Sequence, residues 1–404
     1  MGIALLFLLA GTSFAADFPQ WRGAARDGVI EARTEWQAKL QQKWKLTVGE
    51  GHSTPVLAGG RLFVFARDKG QEHLLALDPA TGKVIWRQSY AAPYRINPAA
   101  TSHGEGPKST PLVHNGRIYT LGISGILSAW DASSGKLTWR KEFAGRFKET
   151  SPLYGTAMSP LADGNVLIAH VGGHDDGALI AFDTGTGAEK WQWKGDGPSY
   201  ASPVMATFEG VRQIVTQSQD HVIGVDPASG ALLWKVEHKT DYSQDIVTPV
   251  IHGGLLVYSG IGNNGSGRGV FALKPARKGA VWQAERVWQN TEVALYMSNA
   301  VRKGGLLFGV AMQNKGQPFC LDLSNGKTLW KGKPRQGDNA SLLLSGDALV
   351  MLTTEGDLVI AKAAADAYAE LHRHKVAQSA TWAYPVPFGT GWVIKDFDSV
   401  SLWQ

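Results

Sequence analysis

Cysteine is nearly absent from this chain of 404 residues, with Cys320 the only one. A single thiol excludes an intrachain disulfide, a cysteine-rich zinc site and a haem attached through CxxCH. Charge is scarce as well: charged residues make up 19%, and the net charge is only +5. No run of Lys or Arg exceeds two residues, so no strip of phosphate contacts is offered and nucleic acid is not an expected partner. Long apolar runs are also missing. After residue 16 none approaches the ~20 residues needed to cross a bilayer, and no transmembrane segment is expected. What the chain does have is 44% apolar residues, 15 Trp and 48 Gly, enough for a large core and too apolar for disorder.

The first 16 residues read as an address. Ile3 to Ala10 form a short apolar stretch, and Ser13 and Ala15 offer a small-residue cleavage site before Ala16 or Asp17. No Lys or Arg precedes that stretch, so either the α-amino group supplies the positive charge or the start lies upstream. No Cys follows it to carry a lipid anchor. Export to the periplasm or the medium in soluble form is expected, with residues 17–404 as one mature domain.

Length alone suggests two or three domains of ~150 residues, but that prior fails wherever a repeat is present. Here one is. A Ser/Thr-Pro start, a Gly turn, an apolar strand, a strand ending in Asp and a closing GKxxW recur along the chain. The clearest copies are Ser53 to Arg87 (STPVLAGGRLFVFARDKGQEHLLALDPATGKVIWR) and Ser109 to Arg140 (STPLVHNGRIYTLGISGILSAWDASSGKLTWR). Weaker copies start at Ser159-Pro160, Ser202-Pro203, Thr248-Pro249, Ser298-Asn299 and Ser341, and a partial one near Tyr384-Pro385. Each copy holds four strand-like runs. The first follows the Pro, whose missing N–H is tolerable there; the third ends in Asp78, Asp131, Asp183 or Asp226, opening a tight turn with Gly at positive φ. Four antiparallel strands every 40 to 50 residues mark a β-propeller blade.

The blade count comes from tryptophan. Trp44, Trp86, Trp139, Trp191, Trp234, Trp288 and Trp330 fall on fourth strands at intervals of 42 to 54 residues. The seventh blade lacks one; its fourth strand is expected at Tyr368 to His374, with Leu371 or His372 in the Trp position. AKAAADAYAELHR favours helix by intrinsic preference, but the repeat overrides it. Trp44 precedes the first copy and the last copy lacks a fourth strand, so Gln42 to Val48 should pair with residues 383–404 and close an all-β, eight-bladed ring, with 17–41 as an N-terminal extension. A seven-bladed ring with a separate terminal strand is the alternative. Ala129-Trp130-Asp131 superficially suggests a WD40 repeat, but neighbouring copies read ALD and AFD.

These GKxxW ends with AxD turns resemble the repeats of the pyrroloquinoline-quinone-like propellers, a family that includes quinoprotein alcohol dehydrogenases and the outer-membrane assembly factor BamB. The opening Phe18-Pro19-Gln20-Trp21-Arg22-Gly23, with Arg26-Asp27-Gly28, is similar to the start of secreted bacterial propellers of that family. The resemblance covers nearly the whole mature chain and implies the fold; function does not follow from the fold. The family's enzymes hold the quinone over a Trp at the ring's centre, bind Ca²⁺ through Glu, Asn and Asp, use a further Asp as base, and many carry a disulfide between adjacent cysteines. Here the cysteine pair is impossible. Glu105, Asp245 and Asp338 are the carboxylates near the presumed mouth, and no pair of them aligns with the enzyme pattern.

Residues at the starts of the first strands should ring one end of the channel: His52, Lys108, Tyr154, Tyr200, Asp245, Asn299, Asn339 and Trp382. Either they bind a small polar ligand or a peptide end, or they line a hydrated channel and satisfy strand ends. Three other features are read as structural. His170-Val171-Gly172-Gly173-His174-Asp175-Asp176-Gly177 has ligand-like residues, but Asp176-Gly177 is a ready hairpin turn and zinc needs three or four placed donors. His372 and His374 alternate on one strand face, and Gly262 to Gly269 lacks the GK[ST] of a phosphate cradle. No GxSxG elbow occurs.

The expectation is a non-enzymatic binding or scaffold propeller of the bacterial cell envelope, similar to BamB, monomeric, with a protein or peptide partner and no cofactor. The alternative is a PQQ-dependent alcohol or sugar dehydrogenase, which would hold PQQ with Ca²⁺.

Overall fold

The computed structural model describes residues 16–262 and 268–404. Residues 1–15, where an export signal is expected, and residues 263–267 of the Gly262 to Gly269 segment lie outside the described residues. Eight four-stranded antiparallel sheets stand around one axis, and almost no helix accompanies them. The ring is therefore eight-bladed, and the seven-bladed alternative is discarded. The innermost strands are Val56–Ala58, Leu112–His114, Leu161–Asp163, Val204–Phe208, Val250–His252, Val301–Lys303, Ala340–Ser345 and Val386–Phe388, which number blades 1 to 8. Second and third strands such as Arg61–Asp68 and Gln71–Leu77 are buried on both faces, and so their apolar runs are nearly continuous.

The repeated turn and the repeated tryptophan are one device. In blade 1 the Asp78 carboxylate accepts from the Thr81 N–H at 2.8 Å, and Gly82 turns the chain at φ +70°. A Cβ on Gly82 would lie 2.7 Å from the Trp44 ring of blade 8, while the Trp44 indole N–H donates to the Pro79 carbonyl at 3.1 Å. The same seating recurs for Trp86 on Gly135, Trp139 on Gly187, Trp191 on Gly230 and Trp288 on Gly326. Each of these tryptophans thus rests on the next blade's glycine, where both positive φ and the closeness of the ring forbid a side chain.

The seventh blade is the exception. Its outer strand is Glu370–Lys375, two residues later than the expected start at Tyr368. Sheet register overrides the helix preference of the Ala-rich segment. His372 opposes Ile360 beside a bulge, as Trp86 opposes Ala76 beside a bulge in blade 1. The next blade offers no Gly turn to receive an indole, because blade 8 is closed by two chain segments. Gln42–Thr47 pairs antiparallel with Ser399–Trp403, and Gln41 and Gln404 exchange backbone hydrogen bonds at 2.8 and 3.0 Å.

Residues 18–33 do more than lead into that strand. They lie across the axis and touch the inner region of every blade. Phe18 bridges Leu57, the Pro19 carbonyl accepts from Val113 N–H at 2.8 Å, and the Trp21 indole donates to Thr248 Oγ1 at 3.2 Å and meets the Tyr384 ring edge-on at 4.9 Å. Arg26 donates to the carbonyls of Ser159, Pro160 and Pro203 at 3.0, 2.7 and 3.1 Å. Arg22 donates to the Ala300 carbonyl, and Val29–Ile30 adds a parallel pair to Leu344–Ser345. Both arginines are almost fully buried, at 1% and 4% exposure. The channel is therefore plugged near its middle.

Two outcomes follow from this construction. Deleting residues 17–48 removes both plug and closing strand, and the truncated chain should aggregate through its bare strand edge; a soluble monomer of unchanged melting temperature would overturn the closure. Arg26→Met leaves three buried carbonyls without donors, and a urea titration should show a loss of about 3 kcal/mol or more, at 1–3 kcal/mol per orphaned group.

Candidate functional site

A cavity of about 230 Å³ opens at the end of the ring where the inner strands begin. Its floor is Trp21 of the plug. Six of the eight residues expected there line it: His52, Lys108, Tyr154, Tyr200, Asn299 and Trp382. Asp245 and Asn339 do not. The Asn339 carboxamide accepts from Met297 N–H at 3.2 Å and serves the loop.

The aromatic side chains form two groups. His103 and Trp382 lie 4.9 Å apart, with His52 about 6 Å from each, at 5.9 and 6.0 Å. Across from them Tyr154 and Tyr200 are stacked at 6.2 Å, and the Tyr154 N–H donates to the Tyr200 hydroxyl at 3.2 Å. Burial raises the Tyr200 phenol above its ordinary range, so it stays protonated. The Lys108 ammonium donates to the Tyr154 carbonyl at 2.6 Å; burial lowers it to about 8, which still leaves a cation at neutral pH. The Tyr296 hydroxyl donates to Gln244 Oε1 at 2.5 Å, and Asn299 Oδ1 accepts from Thr248 N–H at 2.6 Å.

Asp245 faces away from the cavity. It is wholly buried, with Oδ1 3.4 Å from Nε2 of the equally buried His238, and burial raises its carboxyl well above the carboxylate range. Its backbone carbonyl collects the Tyr200 and Ala201 N–H groups and the Ser199 hydroxyl, so the residue knots the loop before blade 4 to the loop before blade 5. The other two acids are also off the wall. Glu105 accepts from Ile96 N–H at 3.2 Å and lies 3.6 Å from Arg67, and Asp338 stands on the loop before blade 7. No carboxylate lines the cavity among the described residues.

That donor set bears on the quinone and Ca²⁺ that the family resemblance implies. Ca²⁺ takes six to eight oxygen ligands with carboxylates among them. Here the available oxygens are tyrosine hydroxyls and amides, with an ammonium beside them. Trp21 and Trp382 offer indoles to a planar ring, but the ion has no seat, so the residues do not fit the pair.

Several lining residues escaped the repeat. Trp21 sits in the FPQWRG segment, legible only as a family mark. His103 ends a short 3-10 turn, Pro98–His103, inserted between blades 1 and 2, and Gln244, Tyr296 and Met297 lie in loops whose lengths differ from copy to copy. Only Gln244 and Tyr296 carried a local signal, an amide and an aromatic residue six and five positions before an inner strand. The His170 segment needs a correction. The two-residue turn is His174-Asp175, with Asp175 at φ +60°, while Asp176 and Gly177 pair with Gly173 and Gly172 inside the sheet. Asp175 and not Gly177 takes the left-handed conformation, which aspartate tolerates. His170 Nε2 meets the Asp196 carbonyl at 3.0 Å and His174 Nε2 the Tyr200 hydroxyl at 3.4 Å. His372 and His374 are stacked at 6.1 Å on the outer strand of blade 7. Among the described residues no group of three or more His, Cys, Asp or Glu is placed to hold a metal.

Buried imidazoles make the fold sensitive to acid. Burial first, then His103, lowers His52 to about 3, and burial lowers His170 to about 4, against 6.5 for a free imidazole. Between pH 6.5 and 4 the unfolded chain therefore binds more protons at these positions than the folded one, and stability falls as pH falls through that window. Asp245, with its raised carboxyl, acts in the opposite sense. For His170 the expected loss between pH 7 and pH 5 is about 2 kcal/mol. Denaturant titrations of His170→Gln should show a pH dependence shallower by that amount; an identical profile would refute the assignment.

Comparison with known proteins agrees with this geometry. The family model described as outer membrane protein assembly factor BamB matches residues 29–103 and 70–332. BamB of Shewanella oneidensis is 23% identical over 212 residues, 51% of this chain and 48% of that protein. BamB of Moranella endobia is 25% identical over 62% of this chain and 63% of its own length, so the match spans about half to two thirds of these relatives. Quinoprotein ethanol dehydrogenase of Pseudomonas aeruginosa is 26% identical over 38% of this chain and 25% of its own. Among solved structures, BamB from Moraxella catarrhalis superposes with a TM-score of 0.59 at 15% identity, covering 91% of this chain and 98% of that one. Quinohemoprotein alcohol dehydrogenase ADHIIG from Pseudomonas putida does so with a TM-score of 0.66 at 13% identity, over 96% and 80%. The structural neighbours establish the fold alone, but the family model covers well over half of the sequence, and the chain belongs to the BamB-like family of PQQ-repeat propellers.

Proposed function

We propose that the protein is a non-enzymatic binding propeller of the bacterial cell envelope, periplasmic or secreted, which holds an extended segment of a protein partner at the aromatic mouth of the ring. Like the assembly factors it resembles, it would act on outer-membrane proteins before they are inserted. The wall of the cavity carries this reading. Aromatic faces from Trp21, Trp382, Tyr154 and Tyr200 surround the amides of Gln244 and Asn299 and one cation, Lys108. Such a wall takes an apolar side chain by burying its area, and its few polar groups meet a backbone carbonyl or amide. An outer-membrane strand before insertion presents both, since apolar and polar side chains alternate along it. Leu153 and Tyr242 are exposed in the loops before blades 3 and 5 that also supply Tyr154 and Gln244.

The dehydrogenase alternative is not favoured. Among the described residues the cavity wall lacks the carboxylates that a Ca²⁺-bound quinone needs. Asp245, the acid nearest in sequence to that wall, does not line it, and its buried carboxyl lies 3.4 Å from His238 Nε2 instead.

Tryptophan fluorescence of the purified protein tests both readings. A peptide of alternating apolar and polar residues should produce a saturable change that weakens about tenfold or more in Trp382→Ala and in Tyr200→Ala, the size expected of a central aromatic anchor. PQQ with Ca²⁺ should give no saturable quenching at tens of micromolar. Stoichiometric, Ca²⁺-dependent quenching would overturn the proposal in favour of the dehydrogenase.

A further inference from the structure

The plug leaves a second cavity at the opposite end of the axis, of about 180 Å³, which has no part in the reading above. Its walls differ from those of the aromatic mouth. Arg22, Arg26 and Arg302 line it together with one carboxylate, Asp27. Asp27 Oδ1 already accepts from the Val29 N–H at 2.9 Å, so three guanidinium groups face a single carboxylate that is partly engaged. The remaining wall is aliphatic, chiefly Met205, Val250 and Ile251 from the inner strands of blades 4 and 5.

The three arginines are not equally occupied. Arg26 is spent on carbonyls of blades 3 and 4, and burial together with the neighbouring Arg22 presses its guanidinium down to about 9. Arg22 donates through Nη2 to the Asp27 and Ala300 carbonyls, but its buried Nε has no acceptor among the described residues. Arg302 is half-buried on the inner strand of blade 6 and makes no hydrogen bond or ion pair among the described residues. Arg22 and Arg302 therefore line one cavity with donors to spare, an arrangement that an anion would stabilise.

We propose that this cavity is a binding site for a carboxylate carried on a short aliphatic body, with the carboxylate held by Arg22 and Arg302 and the aliphatic part lying against Met205, Val250 and Ile251. Arginine forks match the planar carboxylate, and the apolar wall disfavours a fully hydrated inorganic anion. Two sources present this chemistry: a free branched or short-chain acid, and the C-terminal aliphatic residue of a polypeptide. The cavity lies across the plug from the aromatic mouth, so the two proposals succeed or fail separately.

Isothermal titration of the whole protein at constant ionic strength decides it. The probes are 4-methylpentanoate, its amide, inorganic phosphate, and a tripeptide ending in leucine with a free or an amidated C-terminus. Saturable binding of the acid or of the free tripeptide is expected, with the amides and phosphate weaker by about tenfold or more. The stronger of the two binders identifies the source. Arg302→Gln should weaken binding by about tenfold at an unchanged melting temperature, and Met205→Glu, which places a carboxylate in the cavity, should abolish it. Absence of saturable binding, phosphate or an amide binding as tightly as the acid, or an Arg302→Gln variant that binds normally would each overturn the proposal.

Discussion

The structure depends on how the centre of an eight-bladed ring is filled. Inner strands of only three to six residues converge on the axis and turn backbone carbonyls toward a space too wide for their own side chains to close. Hydrophobic side chains could fill that space but could not satisfy those carbonyls. Arg22 and Arg26 do both, because a guanidinium is long, flat and rich in donors that spread over several acceptors. Each is buried without a carboxylate partner and is compensated by carbonyl dipoles, those of blades 3 and 4 for Arg26 and those of Asp27 and Ala300 for Arg22. Residues 18–33 consequently act as the hub that ties the blades together, and the Gly28 turn at φ +80° lets the hub pass Val301 closely enough to leave again beside blade 7.

Around that hub the ring is held at five of its seams by a repeated contact between neighbours, the tryptophan of one blade on the turn glycine of the next. The contact explains why Gly, Lys and Trp travel together in the repeat even though the Trp and the Gly that meet belong to adjacent copies. Two tryptophans do without that glycine: Trp234 donates to Gln213 Oε1 at 2.7 Å within its own blade, and Trp330 to the Ala364 carbonyl of blade 7 at 2.9 Å. At the seam between blades 7 and 8 the receiving turn does not exist, and residues 33–41 occupy its place. Trp36 stacks on Trp392 at 6.4 Å and Arg33 lies over the same ring at 4.3 Å, so the seam is sealed by a different set of aromatic contacts. Lys395 adds a polar clasp at the ring closure, its buried ammonium donating to the carbonyls of Gly51, Asp396 and Phe397 at 3.0, 2.6 and 3.0 Å.

The fold was legible in the sequence because a repeat states the same physical requirement many times. Tyr368 to His374 shows the strength of that signal: its composition favours helix, yet a strand forms from Glu370, because sheet register is imposed by the neighbouring strands and helix preference by the segment alone. The site was legible in part for the same reason. Positions such as His52, Lys108 and Tyr200 each stand four residues before an inner strand and could be counted to. Asp245 stands five before its own, but no spacing rule states which way a loop side chain points, and this one turns inward to His238. Trp21 and His103 were out of reach because they come from the extension and from an insertion, which the repeat does not describe. The arginines of the plug illustrate the same limit: an Arg near a chain start reads as a solvated charge until the axis it fills is known.

The asymmetry between the two ends follows from the parts that do not repeat. Eight similar blades would by themselves give two mouths with ring-like symmetry and little to distinguish one ligand from another. The plug breaks that symmetry by placing the Trp21 indole on one side and the Arg22 and Arg26 guanidinia on the other, within a few residues of chain. Loops of unequal length then add His103, Gln244 and Tyr296 to the first side, while a single inner-strand substitution adds Arg302 to the second. One end becomes aromatic and poor in charge, the other cationic with an aliphatic wall. The segment that makes the fold stable is thus also the segment that gives each mouth its chemistry. Changes within residues 18–28 should therefore affect stability and recognition together, whereas changes in the loops can affect recognition alone.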